Sequence, residues 1–459
     1  MVRLFNHYFR RQAVLQVMVD LGLLVVILLS AYLLQVPDSH NPFPAATHGI
    51  TLAGCLLTIN SLSGLYGPSQ GRSLVQSCVR AGLALILALP LAYIAFGLLP
   101  TELGHREELK WVTIVCIAGV IAHRVYATHV HRLPRTRSRV LIFGSGPPAR
   151  LVTQTLGASE LDVQIVGYVP GPNETQSVVD PAQVLDSQRT LKEQALELKV
   201  DEIVVALTER RGGSMPLREL LDCKVAGLRV SDLSTYFERM LCQIRIDHVR
   251  AGWLIFGDGF AQGKFRTVAK RLFDIASALL LLVVAAPVML ATAVAIALES
   301  KGPIFYVQER VGRNGRSIWV LKFRSMREDA EREGQPQWAT RKDSRVTRVG
   351  AIIRRFRVDE LPQLLNVLKG DMSLVGPRPE RPFFVEQLTR EIPYYAVRHS
   401  VKPGVTGWAQ VRYQYGATVE DSLQKLQYDL YYVKNHSIFL DIVILFETIG
   451  VVLSGKGAR

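Results

Sequence analysis

Apolar residues along this chain gather into long runs before any shorter periodicity appears. Four such runs open it, at about 14–36, 47–66, 78–99 and 109–127. Each approaches the ~20 residues that a helix needs to cross a bilayer core. The pattern therefore predicts a membrane α-helical bundle over 1–130. Further runs follow the first without an obvious small-residue cleavage site, so the first is expected to stay in the protein. Arg3, Arg10 and Arg11 precede the bundle, and Arg124, Arg132, Arg135, Arg137 and Arg139 close it. The loop between the first two runs has no Lys or Arg, and the loop between the last two sets Glu102, Glu107 and Glu108 against Arg106. Because basic loops stay in the cytoplasm, both ends of the bundle are expected there. Asp20 and Arg80 lie in or beside these runs, where an interhelical pair or a snorkelling end residue is the plainer reading.

From Arg139 the period shortens. Residues 140–143, 163–169, 203–207 and 228–230 read as short apolar strands, with helical patterns up to Gly157 and near 188–199 and 216–226. Strands alternating with helices predict a parallel sheet covered on its faces, a cytoplasmic α/β (Rossmann-like) domain over 139–250. The loop Gly144-Ser-Gly146-Pro-Pro-Ala149 fits the dinucleotide fingerprint G-x-G-x-x-A, a weak signal by itself. The second strand runs out at Gly167-Tyr-Val-Pro-Gly171 without the acid that would hold a ribose. Pro147 and Pro148 also remove amide donors from the place where a pyrophosphate would sit. A regulatory or oligomerising module fits these residues better than a nucleotide carrier.

A fifth apolar run, 272–298, is flanked by Lys264, Arg266, Lys270 and Arg271 on one side and by Lys301, Arg310, Arg313, Arg316, Lys322, Arg324 and Arg327 on the other. A simple crossing would leave one basic cluster outside. Pro287 stands mid-run, and at ~1.5 Å per residue neither arm, 272–286 or 288–298, covers a ~30 Å core. The expectation is a re-entrant membrane helix that kinks at Pro287 and returns to the cytoplasm. The alternative is a fifth span with the C-terminal region outside.

Composition narrows the classes. Apolar residues at 49%, charged residues at 20% and mean hydropathy +0.18 exclude a disordered chain. Lys and Arg outnumber Asp and Glu by 54 to 40, a surplus that suits nucleic acid, an anionic membrane or a phosphate-bearing substrate. The basic residues cluster at membrane flanks and Gly-Pro turns, and no nucleic-acid motif appears, so nucleic acid is not an expected partner. Cys55, Cys78, Cys116, Cys223 and Cys242 form no C-x-x-C pair and read as reduced and structural.

The chemistry concentrates after residue 300. In order come Lys301-Gly-Pro, Arg310-Val-Gly-Arg313, Leu321-Lys-Phe-Arg-Ser-Met-Arg327, then 346–366 with Arg354-Arg-Phe-Arg-Val-Asp-Glu-Leu-Pro362, then Gly376-Pro-Arg-Pro-Glu380 and Val401-Lys-Pro-Gly-Val-Thr-Gly-Trp-Ala-Gln410. Arginine beside Gly-Pro turns suits a site that grips phosphates in fork geometry. Leu361, Leu364, Leu365 and Leu368 lie at helical spacing with Gly370 as a stop, so Asp359 reads as an N-cap and Pro362 as a first-turn residue. A carboxylate at a positive helix end, near Arg354, Arg355 and Arg357, should stay ionised. Spacing alone leaves Asp359 either a cap or a nucleophile.

Taken together, the blocks over 264–459 resemble the bacterial sugar transferases, the monotopic polyprenyl-phosphate phosphoglycosyl transferases. With the helices and α/β domain in front, the whole chain is similar to the large members that start exopolysaccharide synthesis. The stretch Gly376–Pro382 and the ending Gly455–Arg459 resemble the subgroup associated with PEP-CTERM and exopolysaccharide gene clusters. The resemblance implies a mostly α-helical catalytic domain over 264–459 on the cytoplasmic face of the bacterial inner membrane, in a multi-pass protein. It implies transfer of a hexose 1-phosphate from a UDP-sugar to undecaprenyl phosphate, with UMP released and a covalent aspartyl intermediate. Asp359 and Glu360 fall on the catalytic pair, and Arg354 and Arg378 on the phosphate-gripping arginines; Lys322 and Arg324 are further candidates. Magnesium is the implied cofactor, bridging the diphosphate to Asp359. Thr406 and Gln410 are expected in the substrate pocket, the lipid bilayer is a partner, and a homodimer is a possible assembly. At the helix break the family often has Ser-Pro, where this chain has Ala286-Pro287.

Two other classes compete. Membrane nucleotide-sugar dehydratases share the front half, but they need a Tyr-x-x-x-Lys pair, which this chain lacks. A non-catalytic membrane scaffold or sensor would tolerate loss of Asp359. In the tail, Thr418 and Asp421 resemble a helix cap followed by the apolar stripe Leu423, Leu426, Leu430 and Val433. Residues 438–453 are apolar but carry Asp441 and Glu447, which favours an interfacial helix over a span.

Overall fold

The computed structural model describes most of residues 137–459, with 159–162, 186–188, 209–214, 328–344, 454–459 and some single positions excepted, together with most of the first nine residues and a few up to Gly22. The bundle expected over 1–130 lies outside the described residues almost entirely. What is described forms two compact units, one reaching to Leu241 and the other comprising Arg3–Tyr8 and Cys242–Arg459.

At the chain start, β1 (Val2–Leu4) and β2 (His7–Phe9) pair as a short hairpin. In the first unit the strands are β3 (Ser138–Phe143), β4 (Val163–Val169), β5 (Glu202–Val205) and β6 (Arg229–Asp232), all parallel in the order β4-β3-β5-β6. Helices α1 (Pro147–Ala158), α2 (Leu191–Glu197), α3 (Leu217–Val225) and α4 (Leu233–Leu241) cover both faces. The period-two pattern explains why. Val140, Ile142, Val204 and Ala206 point to one face and bury against Ala149, Val152, Tyr236 and Phe237. Leu141, Phe143, Ile203 and Val205 point to the other and bury against Leu191, Ala195, Leu220 and Cys223. The Rossmann-like expectation for this stretch matches the sheet found, with strand ends shifted by a residue or two.

The second unit begins with α5 (Ala251–Phe256) and α6 (Lys264–Glu299), then the antiparallel hairpin β7 (Phe305–Val311) and β8 (Ser317–Phe323). Next come α7 (Arg348–Arg355), α8 (Gln363–Lys369), β9 (Ser373–Val375), α9 (Pro382–Glu391), β10 (Gly404–Thr406) and α10 (Trp408–Arg412). The chain closes with α11 (Val419–Asn435) and α12 (Ile438–Leu453). Thr418 and Asp421 form the expected capping box, and Leu426, Leu430 and Val433 of the stripe are core. The tail helix α12 packs inward through Leu440, Asp441 and Ile444 while Ile442 and Ile449 stay exposed, so it forms part of the domain.

The 36 residues of α6 are helical throughout, with Pro287, the expected kink position, inside the helix. Proline removes one backbone bond, but the turns on either side keep theirs, and the Thr292 hydroxyl donates back to Val288 O at 2.7 Å. Both ends of α6 are tied into the same unit. Near its start, the Arg271 guanidinium donates to Val367 O at 2.5 Å and Leu368 O at 2.6 Å, the free carbonyls at the end of α8. At its end, Glu299 accepts from the Arg348 and Val349 amides at 2.8 and 3.2 Å, the free donors at the start of α7. Between them, Leu280, Val283, Val284 and Leu290 are each at least 65% exposed, an apolar face that water does not favour.

The N-terminal residues belong to this unit too. His7 is buried, shares a 2.8 Å hydrogen bond between Nδ1 and the Tyr431 hydroxyl, and meets the Trp408 ring edge-on at 5.2 Å. Burial first, and then Arg412, push its pKa down to about 3, so it packs as a neutral ring. The segment ahead of the first apolar run therefore lies on the same side of any membrane as the second unit.

If α6 enters and leaves a bilayer by one face, Lys264→Cys and Lys301→Cys should behave alike. Both should be shielded from an impermeant maleimide in intact cells and labelled after lysis. Labelling of one alone from outside would mean that α6 crosses.

Candidate active site

The site forms between α7 and α8. After α7 the chain turns at Arg357, which sits in the left-handed region at φ 55°, and Val358–Glu360 form a single tight turn. A non-glycine residue there is uncommon and carries strain, a feature that collects at functional sites. The turn sends neighbouring carboxylates into different surroundings. Asp359 was expected to cap α8, but the helix begins one turn later and Pro362 stands at its N-cap without a side-chain bond. The tight turn occupies the residues that a longer helix would have used. Gly370, with φ 100°, does end the helix.

Glu360 is buried and gripped by cations. Arg378 Nη2 donates to its Oε1 at 2.9 Å, Lys322 Nζ lies 3.7 Å from the same oxygen, and Arg357 Nη1 lies 3.9 Å from Oε2. Burial works to raise its pKa, but Arg378, Lys322 and Arg357 outweigh that and hold it well below the usual carboxylate range. Asp359 is half-buried, and among the described residues no hydrogen bond or ion pair fixes its carboxylate. Burial and the Glu360 charge push it up to about 6, against the pull of Lys322, Arg354 and Arg378. The helix-end argument had placed it lower; burial and the adjacent anion are the reason. Lys322 is pulled down to about 8 by burial, with Glu360 opposing and Arg378 and Arg310 reinforcing.

Each cation has its own support. Asn366 on α8 acts as an artificial strand partner for β8: its Oδ1 accepts from Leu321 N at 3.0 Å and its Nδ2 donates to Trp319 O at 2.7 Å. That fixes Lys322, the next residue. Arg378 rides on a loop whose carbonyls are all taken. Pro377 O accepts from Gly404 N at 3.0 Å, Arg378 O from Arg398 at 2.9 Å, Pro379 O from Arg310 at 3.2 Å and Glu380 O from Val311 N at 2.9 Å. Arg398 is itself buried on Asp429 at 2.7 Å. Breaking such a buried pair costs roughly 3–5 kcal/mol, which makes it a rigid prop.

Residues 265–455, including all of this geometry, match the bacterial sugar transferase family. A UDP-glucose:undecaprenyl-phosphate glucose-1-phosphate transferase of Xanthomonas campestris pv. campestris is 31% identical over 438 residues, 90% of this chain and 89% of its own. The chain belongs to the bacterial sugar transferase family. Other members align less completely. An Aeromonas hydrophila UDP-N-acetylgalactosamine-undecaprenyl-phosphate N-acetylgalactosaminephosphotransferase is 46% identical over 242 residues, 53% of this chain and 56% of its own. A Komagataeibacter xylinus undecaprenyl-phosphate glucose phosphotransferase is 46% identical over 370 residues, 76% of this chain and 66% of its own. The chain thus spans little more than half of the Aeromonas relative.

Within this family member, Asp359, Glu360, Lys322 and Arg378 come together, and Arg354 is near enough to act on the Asp359 charge. Three other candidates form their hydrogen bonds elsewhere among the described residues. The Arg324 guanidinium is spent on Ser300 O, Ser300 Oγ and Lys301 O at 2.7–2.9 Å, where it caps the end of α6. Thr406 pairs its hydroxyl with Thr448 at 2.7 Å, and its carbonyl accepts from Gly376 N at 2.9 Å. Gln410 donates to Val405 O at 3.3 Å. Thr406 reaches the site only by bracing the Arg378 loop. Arg357 was expected beside the carboxylates, whereas Asn366, Arg398 and Asp429 were missed as contributors; only nearness to the motif hinted at Asn366.

The protonation contrast between the neighbouring carboxylates is testable without substrate. A water-soluble carbodiimide, which reacts with protonated carboxyls, should modify Asp359 at pH 6 well before Glu360, as resolved by fragmentation mass spectrometry. Equal labelling would contradict the split.

Proposed function

We propose that this protein transfers a sugar 1-phosphate from a UDP-sugar to undecaprenyl phosphate, with Asp359 as nucleophile. The observation that carries the reading is the turn that leaves the Asp359 carboxylate without a hydrogen bond or ion pair among the described residues, while Glu360 collects Arg378, Lys322 and Arg357 beside it. The relatives named above act on UDP-sugars or undecaprenyl phosphate by their names, and glucose and N-acetylgalactosamine both occur among them.

In the proposed reaction a carboxylate oxygen of Asp359 attacks the sugar-side phosphorus of the donor. The new O–P bond forms as the diphosphate P–O bond breaks, and UMP leaves with that electron pair. A phosphate oxygen of undecaprenyl phosphate then attacks the aspartyl-phosphosugar, making the lipid-linked diphosphate and restoring the carboxylate. Charge grows on the phosphoryl oxygens in both steps, and Lys322, Arg354 and Arg378 supply the positive field. Glu360 acts by holding Arg378 and Lys322 in place and by keeping Asp359 basic, since its charge raises the Asp359 pKa. It remains ionised and is poorly suited to carry protons.

Among the described residues no cluster of three or more His, Cys, Asp or Glu forms a cage for a metal. One free carboxylate beside a diphosphate still fits magnesium, which favours few carboxylates plus phosphates and water. Asp359 is the residue that would hold it, and the ion would neutralise diphosphate charge. The bare face of α6 and the docked N-terminal residues support a catalytic unit on the cytoplasmic face of the inner membrane.

Purified protein in detergent, given undecaprenyl phosphate, magnesium and a panel of UDP-sugars, should release UMP with at least one donor. Asp359→Asn should lower the rate by about three orders of magnitude or more, as expected for loss of a nucleophile. Release that persists in the variant would remove Asp359 from the mechanism.

The pH profile of kcat/KM adds a second check, because it reports the free enzyme. Activity should rise as pH passes through about 6, where Asp359 ionises, and fall as it passes through about 8, where Lys322 loses its proton. Glu360 raises both values, so Glu360→Gln should move both limbs to lower pH. An unmoved profile would refute the coupling.

A further inference from the structure

The α/β unit holds a second anion-binding arrangement that the proposed reaction does not use. Its sheet order places β3 beside both β4 and β5, and the helices after β3 and β5 pack on opposite faces. The loops at the ends of β3 and β5 therefore diverge and leave a crevice, the place where open α/β sheets bind ligands. Into it reaches Glu174, from the loop after β4. Its Oε2 accepts from Ser145 N at 2.5 Å, from Ser145 Oγ at 3.2 Å and from Gly171 N at 3.2 Å. Its Oε1 accepts from Thr208 N and Thr208 Oγ1, each at 3.5 Å.

Five donors from three separate loops thus converge on one carboxylate. Among the described residues no Lys or Arg pairs with it, so backbone amides and hydroxyls alone form the cradle. That is the chemistry of a phosphate nest. The glycines allow the close approach. A Cβ on Gly146 would lie 2.5 Å from Thr208 Oγ1 and 3.0 Å from Glu174 Oε1, and Gly144 has φ +129°. Pro147 and Pro148 leave the start of α1 without those amides, and the loop donors of Ser145, Gly171 and Thr208 replace them. No acid stands at the end of the second strand; it stands a few residues further on, as Glu174, and bonds to the glycine loop.

We propose that this crevice is a binding site for the diphosphate of a nucleotide and that Glu174 is its built-in competitor. With Glu174 in the cradle the site is closed to anions; with that charge removed, a diphosphate takes up the same donors. The consequence is a domain that senses nucleotide only weakly, at concentrations high enough to displace its own carboxylate.

Hydrogen–deuterium exchange on the full chain in detergent tests this locally, on peptides that contain no residue of the Asp359 site. In the wild type the amides of Ser145, Gly171 and Thr208 should exchange slowly, and millimolar pyrophosphate or ADP should leave them little changed. In Glu174→Ala they should exchange about tenfold faster or more, and pyrophosphate and ADP should each restore protection. Failure of both to restore it would make Glu174 a permanent internal ligand and overturn the proposal. Restoration by pyrophosphate but not by ADP would overturn the nucleotide assignment. If Glu174→Ala exposes the β3 and β5 amides generally, Glu174→Gln decides: slower Ser145 exchange with ADP supports the site, and no change rejects it. None of these outcomes depends on UMP release, so the transferase reading stands or falls separately.

Discussion

The arrangement at Asp359 depends on how the long apolar helix α6 is tied down. Its first turns cap the end of α8 through Arg271, and its last residue caps the start of α7 through Glu299. Those helices border the Val358–Glu360 turn. A helix in water would bury its apolar face against the protein, yet the middle of α6 stays bare. If a bilayer covers that face, as we propose, insertion and the geometry of the turn become one equilibrium. Lys270 strengthens the link, because its ammonium reaches Asp274 at 2.8 Å, Asp441 at 3.0 Å and Ser373 at 2.5 Å, joining α6 to α12 and to the strand that leads into Arg378. Each of these charges is buried with a partner, so the network specifies one arrangement more than it adds stability.

Electrostatics then divides the labour between adjacent carboxylates. Had Asp359 taken the cations, it would be a poor nucleophile, its charge spent and its pKa low. Glu360 takes them instead, and its own charge keeps Asp359 basic. The division rests on the backbone: the left-handed Arg357 and the tight turn aim one side chain inward and leave the next at the edge. A regular helix through 358–361 would have placed both at its N-terminus, where the dipole lowers both.

This explains what was legible in the amino-acid order and what was not. The period-two strands of the α/β unit, the Thr418 cap and the Gly370 stop are local, and they were read to within a residue or two. Asp359, Glu360, Lys322 and Arg378 lie in motif blocks, and the fold brings them together. Arg324 looked equivalent to Lys322, two residues away on the same segment. What separates them is the free carbonyls of Ser300 and Lys301 that Arg324 satisfies, and these are visible only once α6 and β8 are placed together. Arg398 and Asp429 escaped for the same reason: they act through the Arg378 carbonyl, a contact between distant segments. Pro287 was legible as a proline inside one long apolar helix, and α6 does run through it.

Glu360 and Glu174 show how one residue type serves opposite ends. Both are carboxylates placed where the fold gathers donors for an anion. Around Glu360 the donors are cations, mobile side chains that would scatter by mutual repulsion if nothing held them; the carboxylate organises them and leaves room beside Asp359 for a phosphate. Around Glu174 the donors are backbone amides, already fixed by the ends of β3 and β5 and needing no organiser. A carboxylate there adds no order that the sheet lacks. It fills a cradle that is complete without it, and this difference in what the surroundings require is why we assign it the part of a competitor.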